Sequence, residues 1–363
     1  MKATGRAAAP LRVLMASPYS LTRVGGVQGQ VLGLTRALRG LGVDVRVVGP
    51  CDGPPPAPGI MSVGPSVGWE SNGSIAPIAT DQQAARRTID ALRDLEPDVI
   101  HLHEPAVPGP ALTLTIGAEV PIVSTHHISG AVGREWALPA LRLPMSRIAA
   151  RVAVSESARL TAEDAYGGEY RVLWNGIDVE RAQHACPWPT DRPAVLFVGR
   201  HEQRKGLGVL LDAWQGIGRD AELWVVGAGP QTEELRARGV ADVAWLGRVD
   251  DDERDRRLAA ATVFCAPALG GESFGVVLLE GMAAGAAIVA SDIDGYRNVA
   301  THDRDALLVA PGDPDALREA LRALLDDPAR RARLVAAGRA RAEALSMRAL
   351  AETYRALYAE VRR

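Results

Sequence analysis

The stretch Ala266-Pro-Ala-Leu-Gly-Gly-Glu-Ser-Phe-Gly-Val-Val-Leu-Leu-Glu280 is predicted to be a loop that leaves a buried strand and opens directly into a helix. Its glycines let backbone N–H groups approach a ligand, and the unpaired N–H groups of the first helical turn favour an anion. Glu272 lies in the loop and Glu280 lies more than a turn into the helix. This pattern favours a site for an elongated anion such as a nucleoside-diphosphate sugar. A glycine-rich loop with a solvated Glu272 and a structural Glu280 is the alternative.

Length and composition limit the class of protein. A chain of 363 residues is long enough for two domains, and its formal charge of -3 argues against a general nucleic-acid binder. Three cysteines, Cys51, Cys186 and Cys265, are far apart and lack metal-ligand spacing, which is typical of reduced thiols. No apolar run has the length of a signal peptide core or a membrane span. We therefore expect a cytoplasmic protein that is soluble or at most peripheral to a membrane.

Strands and helices alternate along most of the chain, which is the pattern of parallel α/β sheets covered on both faces. Residues 183–193 are polar and proline-rich with little periodicity, and they follow the turn Asn175-Gly-Ile-Asp178. The sequence therefore predicts a first doubly wound domain over residues 1–178 and a second over 179–345. The remaining chain is predicted to be largely helical, with a last helix over residues 346–363.

Charged and polar side chains follow the predicted strands of both halves, and ligands bind beyond the carboxyl ends of strands in such sheets. In the second half, Arg200 and Lys205 follow an apolar strand. They would donate charge-assisted hydrogen bonds to a diphosphate, worth about 1.5 to 3 kcal/mol each when desolvated. The alternative for these two residues is a solvated basic loop.

In the first half, the corresponding positions carry Gly26 and the histidines His103, His126 and His127. Gly26 would admit an anion to the start of a helix, or it is simply a turn glycine. His127 is the histidine best suited to donate to a sugar hydroxyl or to assist the transition state, whereas a lone histidine is more often structural. A nicotinamide cofactor is rejected, because the glycine fingerprint beginning at Gly227 lacks its later glycine.

Five motifs in order resemble the retaining glycosyltransferases of family 4, from about residue 11 to the last helix. They are Gly-Gly-Val-Gln at Gly25, His-Glu-Pro at His103, Asn-Gly-Ile-Asp at Asn175, Arg-Lys-Gly at Arg204 and Gly-Gly-Glu-Ser-Phe-Gly at Gly270. The resemblance implies a GT-B fold, in which two Rossmann-like domains face each other across a cleft and the last helix returns to the first domain. Within the family, the chain is most similar to enzymes that transfer mannose from GDP-mannose to phosphatidylinositol.

The resemblance also implies a role for individual residues. Catalysis would depend on His127 near the reacting sugar and on Glu272, Arg200 and Lys205. The donor would contact Gly26, Arg200, Lys205, Val249, Glu272, Ser273, Phe274, Gly275 and Glu280, with Glu272 on the hexose, Glu280 on the ribose and Val249 on the base. The acceptor would contact Tyr19, Gln28 and Asn72. No cofactor beyond the nucleotide-sugar substrate and no obligatory metal is expected.

The acceptor side departs from the lipid enzymes. Pro77 stands where those enzymes have an arginine suited to an inositol phosphate. Residues 81–95 balance three arginines against three aspartates, whereas the membrane-facing helix of those enzymes is strongly basic. Residues 134–151 are predicted to be an amphipathic helix packed on the sheet, with a basic interfacial surface as the alternative. Only weak peripheral association with the cytoplasmic face of a membrane is therefore expected.

Three alternatives to transfer of mannose to phosphatidylinositol or a related polyol stay open at this point. One is a soluble family 4 enzyme that uses a UDP-sugar and a small-molecule or glycan acceptor. Another is a GT-B nucleotide-sugar epimerase, although Arg200, Lys205 and Glu272 together fit glycosyl transfer better. The third is a noncatalytic nucleotide-sugar sensor. Nucleic acid is not an expected partner of any of them.

Overall fold

The computed structural model describes residues 10–23, 25–71, 74–128, 139–217, 221–272 and 274–362. The predicted site residues Asn72 and Ser273 lie outside these ranges, as do residues 134–138 of the predicted amphipathic helix. The chain divides into two compact units. The first combines Met1–Gly176 with Met347–Arg363, and the second is Ile177–Ser346.

The first unit is built on a parallel sheet and a separate antiparallel hairpin. Its strands are β1 (Arg12–Ala16), β2 (Asp44–Gly49), β3 (Ile60–Ser62), β4 (Val67–Ser71), β5 (Ser74–Ile78), β6 (Val99–His103), β7 (Ile122–His126), β8 (Ala150–Ala153) and β9 (Arg171–Val172). The strand order in the sheet is β3-β2-β1-β6-β7-β8-β9, and β4 pairs with β5 in the hairpin. Its helices before the second unit are α1 (Gly26–Gly40), α2 (Gln82–Leu95), α3 (Pro110–Gly117), α4 (Pro139–Ser146) and α5 (Glu156–Tyr166).

The second unit contains another parallel sheet. Its strands are β10 (Ala194–Val198), β11 (Glu222–Val226), β12 (Val243–Gly247), β13 (Val263–Ala266), β14 (Ala287–Ser291) and β15 (Leu307–Val309). Their order in the sheet is β12-β11-β10-β13-β14-β15. Its helices are α6 (Val179–His184), α7 (Leu207–Trp214), α8 (Thr232–Arg236), α9 (Asp251–Ala260), α10 (Val276–Ala284), α11 (Asp294–Arg297), α12 (Pro314–Asp326) and α13 (Pro328–Ala344).

Most predicted elements are present, and aspartate caps mark several helix starts. Asp313 accepts hydrogen bonds from the first turn of α12, and Asp327 does the same for α13, where the sequence predicts a break before Pro328. The amphipathic helix predicted over residues 134–151 is wrong in its extent, because α4 ends at Ser146. Residues 150–153 form β8, within the segment 147–154 that continues the predicted alternation of strands and helices. The β4-β5 hairpin, α3 and β15 were not predicted, because their short runs carry little periodicity.

The last helix, α14 (Met347–Val361), packs against α1 and completes the core of the first unit. Its buried face consists of Met347, Ala351, Tyr354, Leu357 and Tyr358, which join Val31, Leu34 and Leu38 in one apolar cluster. Contact is close enough that a Cβ on Gly33 would lie 2.7 Å from the terminal methyl of Met347. The first unit is therefore assembled from two separate parts of the chain.

The side chain of Gln30, on α1, holds the turn at which the chain leaves the first unit. Its amide nitrogen donates to the Gly176 carbonyl at 2.9 Å, and its amide oxygen accepts from the Gly176 N–H at 3.1 Å. A Cβ on Gly176 would lie 2.8 Å from the Cα of Met347. The end of the unit's first segment and the start of its second therefore meet at the same point.

None of the helices in the described part of the chain combines the length and apolar character needed to cross a membrane.

A close backbone approach shapes the loops at the carboxyl end of the second sheet. Gly206, which has φ +71°, follows Lys205 and precedes α7. A Cβ at this position would overlap the carbonyl oxygen of Pro267, in the loop after β13. Only glycine lets the two loops come this close.

We predict that Gly206→Ala lowers the free energy of unfolding of the second unit by about 2 to 5 kcal/mol, because left-handed strain and overpacking add. Gly239→Ala is the matched control, since Gly239 also has positive φ, at +63°, but no atom of the described residues lies within 4 Å of its missing Cβ. The control should lose about 1 to 2 kcal/mol. Urea unfolding measures both, and equal losses would contradict the role of the Pro267 carbonyl.

Candidate functional site

Parallel pairing of β10 with β13 brings two loops of the second unit together. Val195 pairs with Val263 and Leu196 with Phe264, so both strands end at the same edge of the sheet. The loop after β10 carries Arg200 and Lys205, and the loop after β13 carries Glu272. The three residues that the sequence predicts to share a site therefore lie on adjacent loops.

Glu272 is the carboxylate on which these loops converge. Its Oε1 accepts a hydrogen bond from Lys205 Nζ at 2.5 Å and lies 3.2 Å from a terminal nitrogen of Arg204. The side chains of Glu272 and Lys205 are only 15% and 22% exposed, which strengthens their attraction relative to a pair in water. The lysine is thus held in one position by a partner that an anionic ligand could replace.

Arg200 belongs to the same network through a second carboxylate. Its guanidinium lies 2.9 Å from Glu202, and Glu202 also lies 3.1 Å from Arg204. The Arg200 side chain is 71% exposed, so it is the outermost cation of the chain of ion pairs. Arg204 connects Glu202 with Glu272, and in the sequence it is recognisable only as part of a motif.

Helix α10 begins directly after the glutamate loop. Its N-cap is Gly275, with φ +87°, and no side chain caps it. A Cβ on Gly275 would lie 3.0 Å from atoms of both Tyr296 and Val299, so the tight entrance favours glycine. Phe274 is buried beside it. The first N–H groups of α10 are therefore presented without a side-chain cap, which suits an anion.

Glu280 faces a separate pocket of the second unit. Burial raises the pKa of its carboxyl, and the guanidinium of Arg254, 3.8 Å away, opposes that rise. The pocket is lined by Asp178, Arg181, Arg254, Asp255, Leu258 and Glu280, among others. Val249 lies partly buried just before Asp250, the N-cap of α9. Arg254 was not predicted to be a site residue, because an arginine in a strongly charged helix has no feature that distinguishes it from its neighbours.

In the first unit, the ends of β6 and β7 bring together a cluster of buried histidines. His103 Nδ1 and His127 Nε2 are 2.8 Å apart, and their rings are stacked with centroids 5.1 Å apart. The ring of His101 also stacks against that of His103, with centroids 4.6 Å apart. Burial lowers the pKa of His127 to about 4 and that of His101 to about 3. These imidazoles are therefore neutral at pH 7.

Two tyrosines of the last helix hold this cluster from one side. Tyr358 lies 2.7 Å from His101 Nδ1, and Thr125 lies 2.7 Å from His101 Nε2. Tyr354 completes the network through a 2.7 Å hydrogen bond to the same Thr125 hydroxyl. Neither tyrosine was predicted, because a tyrosine on an amphipathic helix is usually a core residue.

Glu104 fixes the backbone at His127. Its Oε1 accepts the N–H groups of His127 at 2.5 Å and Ile128 at 2.7 Å. Burial raises the pKa of Glu104 to about 7, although these two hydrogen bonds oppose the shift. Glu104 itself has φ +50°. The His-Glu-Pro motif at the end of a strand could have indicated Glu104 as a site residue. No role for it was predicted from the sequence.

The structure describes two of the three predicted acceptor residues. Tyr19 pairs with Ile78 at the base of the β4-β5 hairpin, and the pKa of its phenol is raised by burial and further by the nearby Glu104. Gln28 is buried in α1, and a Cβ on Gly25 would collide with its amide oxygen. At Gly26, by contrast, no atom of the described residues beyond its chain neighbours and the backbone of the first turn of α1 lies within 4 Å of the place that a Cβ would take. A ligand could approach the backbone there.

His126 is a structural residue of the sheet. Its Nε2 lies 3.2 Å from the Ser124 hydroxyl, and its ring meets the edge of Tyr170 with centroids 5.1 Å apart. Within the described ranges, no group of three or more His, Cys, Asp or Glu residues is arranged to hold a metal ion.

Comparison with known families agrees with this arrangement. Residues 192–327 match the model of Glycosyl transferases group 1, and residues 24–181 match that of Glycosyltransferase Family 4. The chain is 38% identical to the phosphatidyl-myo-inositol mannosyltransferase of Mycobacterium leprae, over 90% of this chain and 91% of that protein. It is 36% identical to the Mycolicibacterium smegmatis protein of the same name, over 90% and 88% of the two chains.

Solved structures share the fold at low identity. A glycosyltransferase from Rickettsia africae superposes with a TM-score of 0.75 at 16% identity, covering 97% of this chain and 99% of that chain. Anabaena HepE in complex with UDP gives 0.73 at 18% identity, covering 96% and 100%. Two doubly wound units of this kind define the class of GT-B glycosyltransferases, which confirms the predicted fold class. The chain belongs to glycosyltransferase family 4.

The buried histidines and Glu104 generate opposite pH dependences of stability. Because burial lowers the pKa of the histidines, they do not reduce the stability of the fold above pH 6.5. As the pH falls from 6.5 towards 4, the unfolded chain binds protons that the folded chain does not, and stability is lost. Glu104 has the opposite sign. Its raised pKa destabilises the fold above about pH 7, and the penalty disappears as the pH falls from 7 to 4.5.

We predict that Glu104→Gln makes the loss of stability between pH 7.5 and 5.5 larger by about 2 kcal/mol, because the carboxyl that offsets the histidines is gone. The amide oxygen can still accept from both N–H groups. Urea unfolding at the two pH values measures the difference. Glu360→Gln, at a surface ion pair with Arg171, is the control and should leave the slope unchanged. Equal slopes for Glu104→Gln and wild type would contradict the assignment.

Proposed function

We propose that the protein transfers mannose from GDP-mannose to phosphatidylinositol or a related polyol, with retention of the anomeric configuration. The observation that carries this proposal is the identity of 36% and 38% to phosphatidyl-myo-inositol mannosyltransferases over 90% of the chain. The ion-paired loops of the second unit support it, because they supply the groups that transfer of a sugar from a nucleotide requires.

The cationic loop would stabilise the departing diphosphate. Negative charge grows on that group as the bond to the sugar breaks, so fixed cations lower the barrier more than they strengthen ground-state binding. Lys205 is already held by Glu272 at 2.5 Å, and Arg200 lies outermost in the same network. The diphosphate would take over the hydrogen bond of Lys205 and leave Glu272 to accept from hydroxyl groups of the hexose.

The nucleoside would bind further along α10. Glu280 lies about one turn past the start of that helix and would accept from the ribose hydroxyls, while the backbone of Val249 would contact the base. Backbone N–H groups at Ser273, Phe274 and Gly275 would donate to phosphate. This assignment uses the pocket beside Arg254 and the uncapped start of α10.

The first unit would supply the acceptor side. His127 would contact the transferred sugar, Tyr19, Gln28 and Asn72 would contact the acceptor, and the open backbone at Gly26 would admit the donor's anionic group. We propose that the leaving phosphate, rather than a side chain, accepts the proton of the acceptor hydroxyl. We also propose that no metal is required, because Arg200 and Lys205 carry the charge needed by the diphosphate.

A soluble enzyme that uses a UDP-sugar is the second candidate. Pro77 lies in β5, where its ring offers no cation to a phosphate, and the Ser20 N–H donates to its carbonyl at 2.8 Å. In α2, Arg87 donates to the Val63 carbonyl at 3.0 Å, so part of its hydrogen-bonding capacity is already used within the protein. Both observations favour an acceptor with less negative charge than a phospholipid headgroup.

We predict that GDP-mannose and phosphatidylinositol vesicles give a mannosylated lipid, with EDTA causing no loss. Labelled GDP-mannose, UDP-glucose and UDP-N-acetylglucosamine are each tested with phosphatidylinositol, phosphatidylcholine or free myo-inositol, and products are separated chromatographically. Transfer from a UDP-sugar to a soluble acceptor alone would support the second candidate. Absence of mannose transfer to any inositol-containing acceptor would overturn the first.

We predict that Lys205→Ala lowers kcat/KM for the donor by about 10- to 100-fold, because one charge-assisted hydrogen bond to the diphosphate is lost. Lys205→Arg should recover part of the activity. The control is Arg330→Ala, because Arg330 lies on a different element, α13, and its substitution also breaks an ion pair, of 2.8 Å with Asp303. Steady-state kinetics with the donor that supports transfer measure all three variants. Identical losses for Lys205→Ala and Arg330→Ala would rule out a specific role for the lysine.

A further inference from the structure

The pair of histidines at the ends of β6 and β7 has a defined donor and acceptor. His103 Nδ1 and His127 Nε2 are 2.8 Å apart, which is a hydrogen bond between two imidazoles. Burial lowers the pKa of both rings, so neither is charged at neutral pH. A neutral imidazole has one N–H and one bare nitrogen. One of the two facing nitrogens must therefore carry the proton and the other must accept it.

The remaining nitrogen of His103 decides which arrangement is present. His103 is 2% exposed, and its Nε2 is buried without a hydrogen-bond partner among the described residues. If His103 accepted at Nδ1, its proton would lie on Nε2 as a buried, unpaired N–H, and such orphaned donors are rare in proteins. If His103 donates from Nδ1, only a bare nitrogen is left without a partner. The second arrangement is the one that leaves no buried donor unpaired.

The ring of His103 is also prevented from turning. It stacks against the rings of both His101 and His127, with centroid distances of 4.6 and 5.1 Å. His101 is itself held at both nitrogens, by Tyr358 and Thr125 at 2.7 Å each. The orientation of His103 is thus set by the strands and by the last helix together.

We propose that His103 is a positioning residue, which donates from Nδ1 to Nε2 of His127 and thereby fixes His127 as the tautomer that carries its proton on Nδ1. Nδ1 of His127 has no hydrogen-bond partner within the part of the chain that the structure describes. His127 then offers a hydrogen-bond donor to the ligand and no free basic nitrogen. This proposal deepens the proposed function and rests on it for the ligand, a hydroxyl oxygen of the transferred sugar.

The tautomer has a chemical consequence. A histidine whose only free nitrogen bears a proton cannot remove the proton of an acceptor hydroxyl. It can donate to an oxygen of the sugar as charge develops during transfer. His127 therefore acts as a donor, and the acceptor's proton goes to another group, which agrees with a role for the leaving phosphate as the base.

Nitrogen NMR of the full-length protein labelled with 15N-histidine tests the tautomer directly, with or without enzymatic activity. Long-range 1H–15N correlations distinguish protonated from bare ring nitrogens, and comparison with His127→Ala assigns the signals. Wild-type His127 should show its proton on Nδ1, and His103→Phe should shift it partly or wholly to Nε2. A wild-type His127 with its proton on Nε2, or an unchanged tautomer in His103→Phe, would overturn the proposal.

Transfer kinetics with a donor and acceptor that the wild type uses provide the functional arm. His103→Phe keeps a ring but no donor, and kcat should fall about 10-fold or more, the scale found for partners that orient a metal-ligating histidine. His103→Asn keeps an N–H near the position of Nδ1 and should recover most of that loss together with the Nδ1 tautomer. His184→Asn, at an exposed histidine of α6, is the control. Equal activity of all variants would overturn the proposal, whereas no transfer by the wild type would contradict the proposed function alone.

Discussion

Parallel pairing between neighbouring strands is the constraint on which the candidate site residues of each unit depend. In the first unit, β6 pairs with β7, and in the second, β10 pairs with β13. Each pairing places two loops, far apart in sequence, at one edge of a sheet. Lys205 reaches Glu272 and His103 reaches His127 for the same geometric reason. The sheets supply the register, and the loops supply the chemistry.

The two units control charge in opposite ways. In the second unit, cations and carboxylates are paired at distances of 2.5 to 3.2 Å in a partly exposed network, which orients the charged groups. In the first unit, burial keeps the imidazoles neutral. Their hydrogen bonding therefore depends on which ring nitrogen bears the proton and not on net charge. Under the proposed function, the paired cations would stabilise the leaving diphosphate, and the neutral imidazoles would orient the sugar without adding charge.

The sequence was sufficient for the fold class and for placing Lys205 and Glu272 on loops at the same edge of the second sheet, because glycine-rich turns and apolar strands locate the strand ends. Their direct ion pair was not predicted. It was insufficient where a residue acts through its partners. Glu104, Arg204 and Tyr358 act through hydrogen bonds or ion pairs to residues distant in sequence. Motifs include Glu104 and Arg204, but no local pattern reveals the partners of any of the three. The helix predicted over residues 134–151 was wrong in its extent because apolar and basic residues alternate irregularly around Pro144. The roles assigned to single site residues remain predictions.

The return of α14 to the first unit affects the order in which the protein can form during synthesis. Tyr354 and Tyr358 are part of the first unit's core, yet the ribosome makes them after the whole of residues 177–346. The nascent first unit therefore lacks the buried face of α14, including the tyrosine hydroxyl groups that hydrogen-bond to His101 and Thr125. The second unit is already complete at that stage. Domains usually mature in the order of translation. Here the second unit, which is continuous in sequence, can fold first. The histidine cluster is synthesised earlier but can be completed only after α14 has been made.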